Sequence, residues 1–176
     1  MKPAISVLAT LGLLGVTPAS AEVVAASPMG LTSHNAVRLK ATPEQAWAVL
    51  VKPKLYWSAE HSWSGDAANL TLDPHAGGCF CEALPRDAGS VEHMRVIFVR
   101  PDQELRMAGA LGPFQSEALT GTLTVTLKPI PGGTEMDWTY KLGGYTQLDL
   151  VQFAPIADGV VGEQLNRLAA VVGKLD

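Results

Sequence analysis

Residues 119–142 read LTGTLTVTLKPIPGGTEMDWTYKL, and the period of this stretch decides the fold. In its first ten residues Leu123, Val125 and Leu127 alternate with Thr122, Thr124 and Thr126. A strand turns successive side chains to opposite faces, so this pattern describes a half-buried strand with its apolar row inward. Pro131-Gly132-Gly133 then turns the chain. Met136, Trp138, Tyr140 and Leu142 alternate in their turn with Asp137, Thr139 and Lys141. Two such runs about a Pro-Gly turn make an antiparallel hairpin.

Working upstream, the same period recurs in short runs. Residues 70–72, 78–84, 90–99 and 105–111 each read as a strand, with Arg100-Pro101-Asp102 turning one pair. With the hairpin they make six consecutive strands, an antiparallel meander. A further strand fits residues 31–40, where Val37 and Leu39 share a face. Thr42-Pro43-Glu44-Gln45 next starts a helix: Thr42 caps, Pro43 suits the first position, and Gln45 completes a capping box. Ala46, Trp47, Val49 and Leu50 are its apolar side. Pro53 ends it, and residues 54–57 fit a second helical turn. Downstream of the hairpin the spacing turns helical. Val160, Val161, Leu165, Leu168, Val172 and Leu175 form one stripe, and Pro155 is expected to mark the start of this long helix or a kink in it.

The N-terminus reads as an export signal. Lys2 supplies the positive charge, residues 4–16 (AISVLATLGLLGV) are apolar, Pro18 breaks a helix, and Ala19-Ser20-Ala21 fits a small-x-small cleavage site. The apolar run is shorter than the roughly 20 residues of a spanning helix. Residues 1–21 are therefore expected to be a cleaved signal peptide, residues 22–30 a flexible lead, and residues 31–176 one domain of ordinary size. The expected compartment is periplasmic or extracellular, with no stable membrane span after cleavage. Losing Lys2 and no acid moves the formal charge from −4 to −5. Lys and Arg are scattered, so nothing attracts nucleic acid or anionic lipid.

Four stretches carry a family likeness: Thr42-Pro43-Glu44-Gln45-Ala46-Trp47, Leu55-Tyr56-Trp57, Gly77-Gly78-Cys79-Phe80-Cys81-Glu82, and the closing helix. In their order and spacing, over about residues 31–175, the chain resembles the SRPBCC superfamily, whose members include START lipid-transfer domains, pollen-allergen-like proteins and polyketide cyclases. Within it the chain looks most like the branch named for activators of the ninety-kilodalton heat-shock chaperone ATPase. The resemblance implies an α+β helix-grip fold, a curved antiparallel sheet wrapped around the long C-terminal helix, with two short helices after the first strand. It also implies an apolar cavity between that helix and the sheet. A fold of this kind hosts many chemistries and does not by itself name one.

Several residues are candidates for the site. The cavity lining is expected from Trp57, Trp63, Phe80, Met107, Phe114, Leu123, Trp138 and Tyr140, with Gly159 and Gly162 giving room on the helix. The alternative for these glycines is close helix–sheet packing. Trp57, His61 and Trp63, with Tyr56 nearby, are either core aromatics or the cavity mouth. Residues 111–115 could form a lid, and Tyr140 could be a polar anchor. Cys79 and Cys81 share a strand face. Packed free thiols are the leading reading, ahead of a disulfide helped by a bulge and of a metal set with His75 plus His61 or His93. Glu82 is expected at the surface or rim, the alternative being a buried acid or base. His93 and Arg95 share a strand face, expected outward, the alternative being an inward pair that holds an oxyanion.

No nucleophile elbow or phosphate-cradling glycine loop is present, and no metal or cofactor is expected. The functional expectation is an exported protein that binds or carries an apolar small molecule such as a lipid, polyketide or aromatic. One alternative is a cyclase or isomerase using Glu82 or His93 as base with Arg95 as oxyanion partner. The other is an envelope module for an unknown protein partner.

Overall fold

The computed structural model describes residues 21–175. The expected signal peptide lies outside the described residues except for Ala21. Eight strands run β1 (Ala21–Ser27), β2 (Gly30–Leu39), β3 (Leu70–Leu72), β4 (Cys79–Leu84), β5 (Gly89–Arg100), β6 (Glu104–Ala108), β7 (Ala118–Ile130) and β8 (Gly133–Tyr145). Helix α1 (Pro43–Leu50) follows β2, and α2 (Leu150–Val172) follows β8. Single 3-10 turns occupy Pro53–Leu55, Ala59–His61, Ala67–Asn69 and Gly112–Ser116.

The strands form one curved antiparallel sheet in the order β1-β2-β8-β7-β6-β5-β4-β3. The β7–β8 hairpin sets its middle. Leu123 pairs with Tyr140, Val125 with Trp138 and Leu127 with Met136, and all six are buried. The Thr row of β7 lies on the other face, as the alternation requires. β2 closes against the far side of β8, with Asn35 opposite Trp138. This is the α+β helix-grip arrangement that the family likeness implies.

Residues 22–30 are a correction. They are not a loose lead: Glu22 to Ser27 pair with β2, from Glu22 opposite His34 to Ser27 opposite Gly30, with a register shift between Val23 and Ala25. β2 would otherwise offer an unpaired row of backbone groups, and an edge row of that kind is satisfied by another strand.

The capping box starts α1 as the sequence predicts. Thr42 Oγ1 accepts from Gln45 N, and Gln45 Oε1 accepts from Thr42 N at 3.0 Å. Asp149 caps α2 by accepting from Val151 N and Gln152 N. The helix thus begins before Pro155, which sits exposed within it and does not mark its start. α2 lies across β2, β1 and β8, burying Ala154, Ala157, Val161, Leu165 and Leu168. Leu175, read as part of the stripe, lies past the helix, where its N–H donates to Arg38 O. One polar tether crosses this interface. Buried Asp158 accepts from Ser33 Oγ at 2.5 Å and from Asn35 Nδ2 at 3.0 Å. Polar groups in such a place need partners, and these have them.

Candidate functional site: a cavity under the N-terminal half of the long helix

A cavity of about 300 Å³ lies between α2 and the sheet. β8 supplies Trp138 and Tyr140, β7 supplies Leu123, and β5 supplies His93. One turn of α2 after another adds Phe153, Ile156, Ala157, Val160 and Val161. The segment around Ala59–His61 contributes Trp57 and Trp63, and the Gly112–Ser116 turn contributes Phe114. Trp63 and Ile156 are 57% and 61% exposed, so the cavity meets solvent along that edge. Its volume is at the small end of ordinary ligand sites, roughly 300–1,000 Å³.

The mouth segment is held by the helix. Gln164, fully buried, accepts from Ser58 N at 2.7 Å, and Arg167 Nε donates to Tyr56 O at 2.7 Å. His61 Nε2 lies 3.1 Å from Glu163 Oε2. Three polar residues of α2, none of them in its apolar stripe, therefore clamp residues 56–61. Trp57 is fixed further: its indole N–H donates to His61 O at 2.9 Å, and its ring meets Phe80 edge-on at 5.1 Å.

The polar part of the wall comes from a bulge. On β4 Phe80 pairs with Met94, but Cys81 pairs with Glu92, so His93 has no opposite number. An extra residue in one strand resets the alternation beyond it. His93 and Met94 are consequently both buried, whereas Arg95 faces out. The reading that His93 and Arg95 share a face is corrected on this point. Arg95 bonds Gly77 O and Glu92 on the outer side and does not reach the cavity. Gly109 makes room for the bulged strand: a Cβ there, at φ +152°, would lie 2.6 Å from His93 O.

Glu82, expected at the surface, is wholly buried behind His93. Its carboxylate accepts from Trp63 N at 3.0 Å, Ser64 N at 2.5 Å and His93 Nε2 at 2.9 Å. Burial pushes its pKa up, but the bonds from Ser64, Trp63 and His93 outweigh this and hold it below the usual carboxylate value. For His93 burial prevails over the attraction of Glu82 and lowers the imidazole below its ordinary 6.5. At neutral pH the pair is thus an anion and a neutral ring. The ring's one proton sits on Nε2, which donates to the carboxylate, and Nδ1 carries a lone pair. Tyr140 accepts from Leu111 N at 3.1 Å, and burial raises its phenol to about 12.

The other candidates divide. Trp57, Trp63, Phe114, Leu123, Trp138 and Tyr140 line the cavity as expected. Phe80 and Met107 line a separate small void beneath Tyr56 and Trp138. Gly159 faces open space, and Gly162 is buried without reaching the lining; the room on α2 comes from Ala157 instead. Phe153 and Ile156 went unread, although they stand at helical spacing from Val160. Cys79 and Cys81 are not free thiols but a disulfide, Cα atoms 5.3 Å apart, opposite the bulge. Glu92 lies close to both sulfurs, yet joined sulfurs offer no thiolate to a metal, and His75 turns to Asp73 at 2.5 Å.

Comparison with known proteins places this geometry among relatives. Residues 40–173 match the family model described as Activator of Hsp90 ATPase homolog 1-like protein. No curated protein matches the chain. Among solved structures, a protein from Mesorhizobium loti is 20% identical, with a TM-score of 0.57 over 82% of this chain and 98% of its own. A protein from Rhizobium leguminosarum is 21% identical, with a TM-score of 0.57 over 89% and 98%. One from Rhizobium loti is 20% identical, with a TM-score of 0.60 over 81% and 96%. At such identities these likenesses speak to the fold.

Proposed function

Since this chain belongs to the family of Activator of Hsp90 ATPase homolog 1-like proteins, whose helix-grip fold suits ligand binding, we propose that it is an exported carrier of an apolar small molecule. The observation that carries this reading is the cavity beside α2, walled by Trp57, Trp63, Phe114, Trp138, Tyr140 and Phe153 with few polar groups. Aromatic walls favour a ring-bearing or short acyl ligand over a long lipid chain, and the modest volume agrees.

Two features support export. The Cys79–Cys81 disulfide suits an oxidising compartment. Cleavage after Ala21 leaves the β1 pairing from Glu22 onward in place. Among the described residues no helix is long and apolar enough to cross a membrane. Chaperone activation does not suit a chain that leaves the cytosol.

Native mass spectrometry of protein purified from its own compartment, together with Nile red titration, tests the reading. The mature chain is expected to begin at Glu22, to retain or bind an apolar molecule, and to lose this on Ala157→Phe. Protein that emerges empty and binds Nile red no better than Ala157→Phe contradicts it.

A further inference from the structure

Two polar side chains on the cavity wall, His93 and Tyr140, have hydrogen-bonding capacity that no described residue takes up. His93 Nδ1 is a lone pair with no donor among the described residues, because the ring's single proton is committed to Glu82. The Tyr140 hydroxyl accepts from Leu111 N, and its own proton has no acceptor among the described residues. Buried polar groups are usually paired, so unpaired ones beside a cavity suggest a missing partner within it. No Lys or Arg lines the cavity, and Glu82 already places a negative charge behind His93. An anionic group has nothing there to balance it, and burying one unpaired is costly.

We propose that the ligand is a neutral apolar molecule that presents a hydroxyl group to His93 Nδ1. The Tyr140 hydroxyl then serves as a donor to its oxygen atom. Glu82 acts as a positioning residue: by taking the Nε2 proton it fixes His93 as an acceptor toward the cavity. This inference rests on the carrier reading and narrows it. It excludes free fatty acids and other carboxylates.

Displacement of Nile red by 2-naphthol, 2-methoxynaphthalene and 2-naphthoate at pH 7.5 separates the two readings. The naphthol is expected to bind about tenfold more tightly than its methyl ether, the worth of one added hydrogen bond, and the naphthoate weakest of the three. In His93→Phe the alcohol and ether should bind alike. A second measurement needs no variant. The ¹⁵N resonance of His93 Nδ1 should be that of an unprotonated nitrogen, and it should move on adding 2-naphthol but not the ether. Equal binding of alcohol and ether to the native protein, tightest binding of the naphthoate, or a protonated Nδ1 overturns this inference and leaves the carrier reading standing. If neither Nile red nor any naphthalene binds, both fall.

Discussion

Replacing Gln164 with Leu tests how the long helix holds the cavity mouth. Gln164 is fully buried, and its Oε1 is the acceptor for Ser58 N, itself in a residue only 5% exposed. Leucine nearly matches the shape and removes the acceptor. The second bond, from Gln164 Nε2 to Val160 O, matters less, since that carbonyl also belongs to the helical ladder. The orphaned Ser58 N–H costs about 1–3 kcal/mol, and better burial of an apolar side chain returns some of this. A net loss of about 1–2 kcal/mol corresponds to a fall in Tm of roughly 2–8 °C for a domain of this size. Differential scanning calorimetry reads the Tm. Amide hydrogen exchange reads the site, where Ser58 should lose protection while β7 and β8 keep theirs. Glu163→Gln is the control: it removes the charge from the partly exposed contact with His61, and exposed pairs are worth little. An unchanged or raised Tm for Gln164→Leu, or unaltered Ser58 exchange, would refute the clamp.

Acid should destabilise the protein in two stages. His93 and Glu82 both have folded pKa values below their unfolded ones, so the unfolded chain binds more protons in each window and stability falls with pH. The first loss begins as pH drops below about 6.5 and the second as it drops below about 4.5, as read by urea melts across pH. His93→Gln is expected to flatten the first stage; an identical profile in that variant refutes the assignment. The Cys79–Cys81 link closes a very short loop, so Cys79→Ser/Cys81→Ser should cost no more than about 1.5 kcal/mol by chain entropy. Unreduced native protein should take up no alkylating reagent, which intact-mass measurement decides.

The sheet and the long helix were legible because alternation and helical spacing are local. Leu123, Val125 and Leu127 declare their face without reference to anything else in the chain. What escaped depends on distant partners. β1 has no alternating polar row, and its strand character comes from the register of β2. The parity of His93 follows from one extra residue that appears only when β5 is laid against β4. Glu82 is buried because backbone donors of Trp63 and Ser64, nearly twenty positions away, are waiting for it. The cysteines could be read three ways because strand geometry alone sits near the limit for bridging, and local compression of β4 decides it.

The place of β2 in the sheet also governs how the chain must come together. Its neighbours are β1 on one side and β8 on the other, and His34 meets Asp137 across 103 positions of sequence. Contacts that distant form late, since the intervening loop must close before they give anything back. During synthesis the inward row of Leu31, Ser33, Asn35, Val37 and Leu39 is therefore made long before the strand and helix that cover it. A chain interrupted before Gly133 lacks both β8, which pairs with β2, and α2, which packs on it, so that row stays open to solvent.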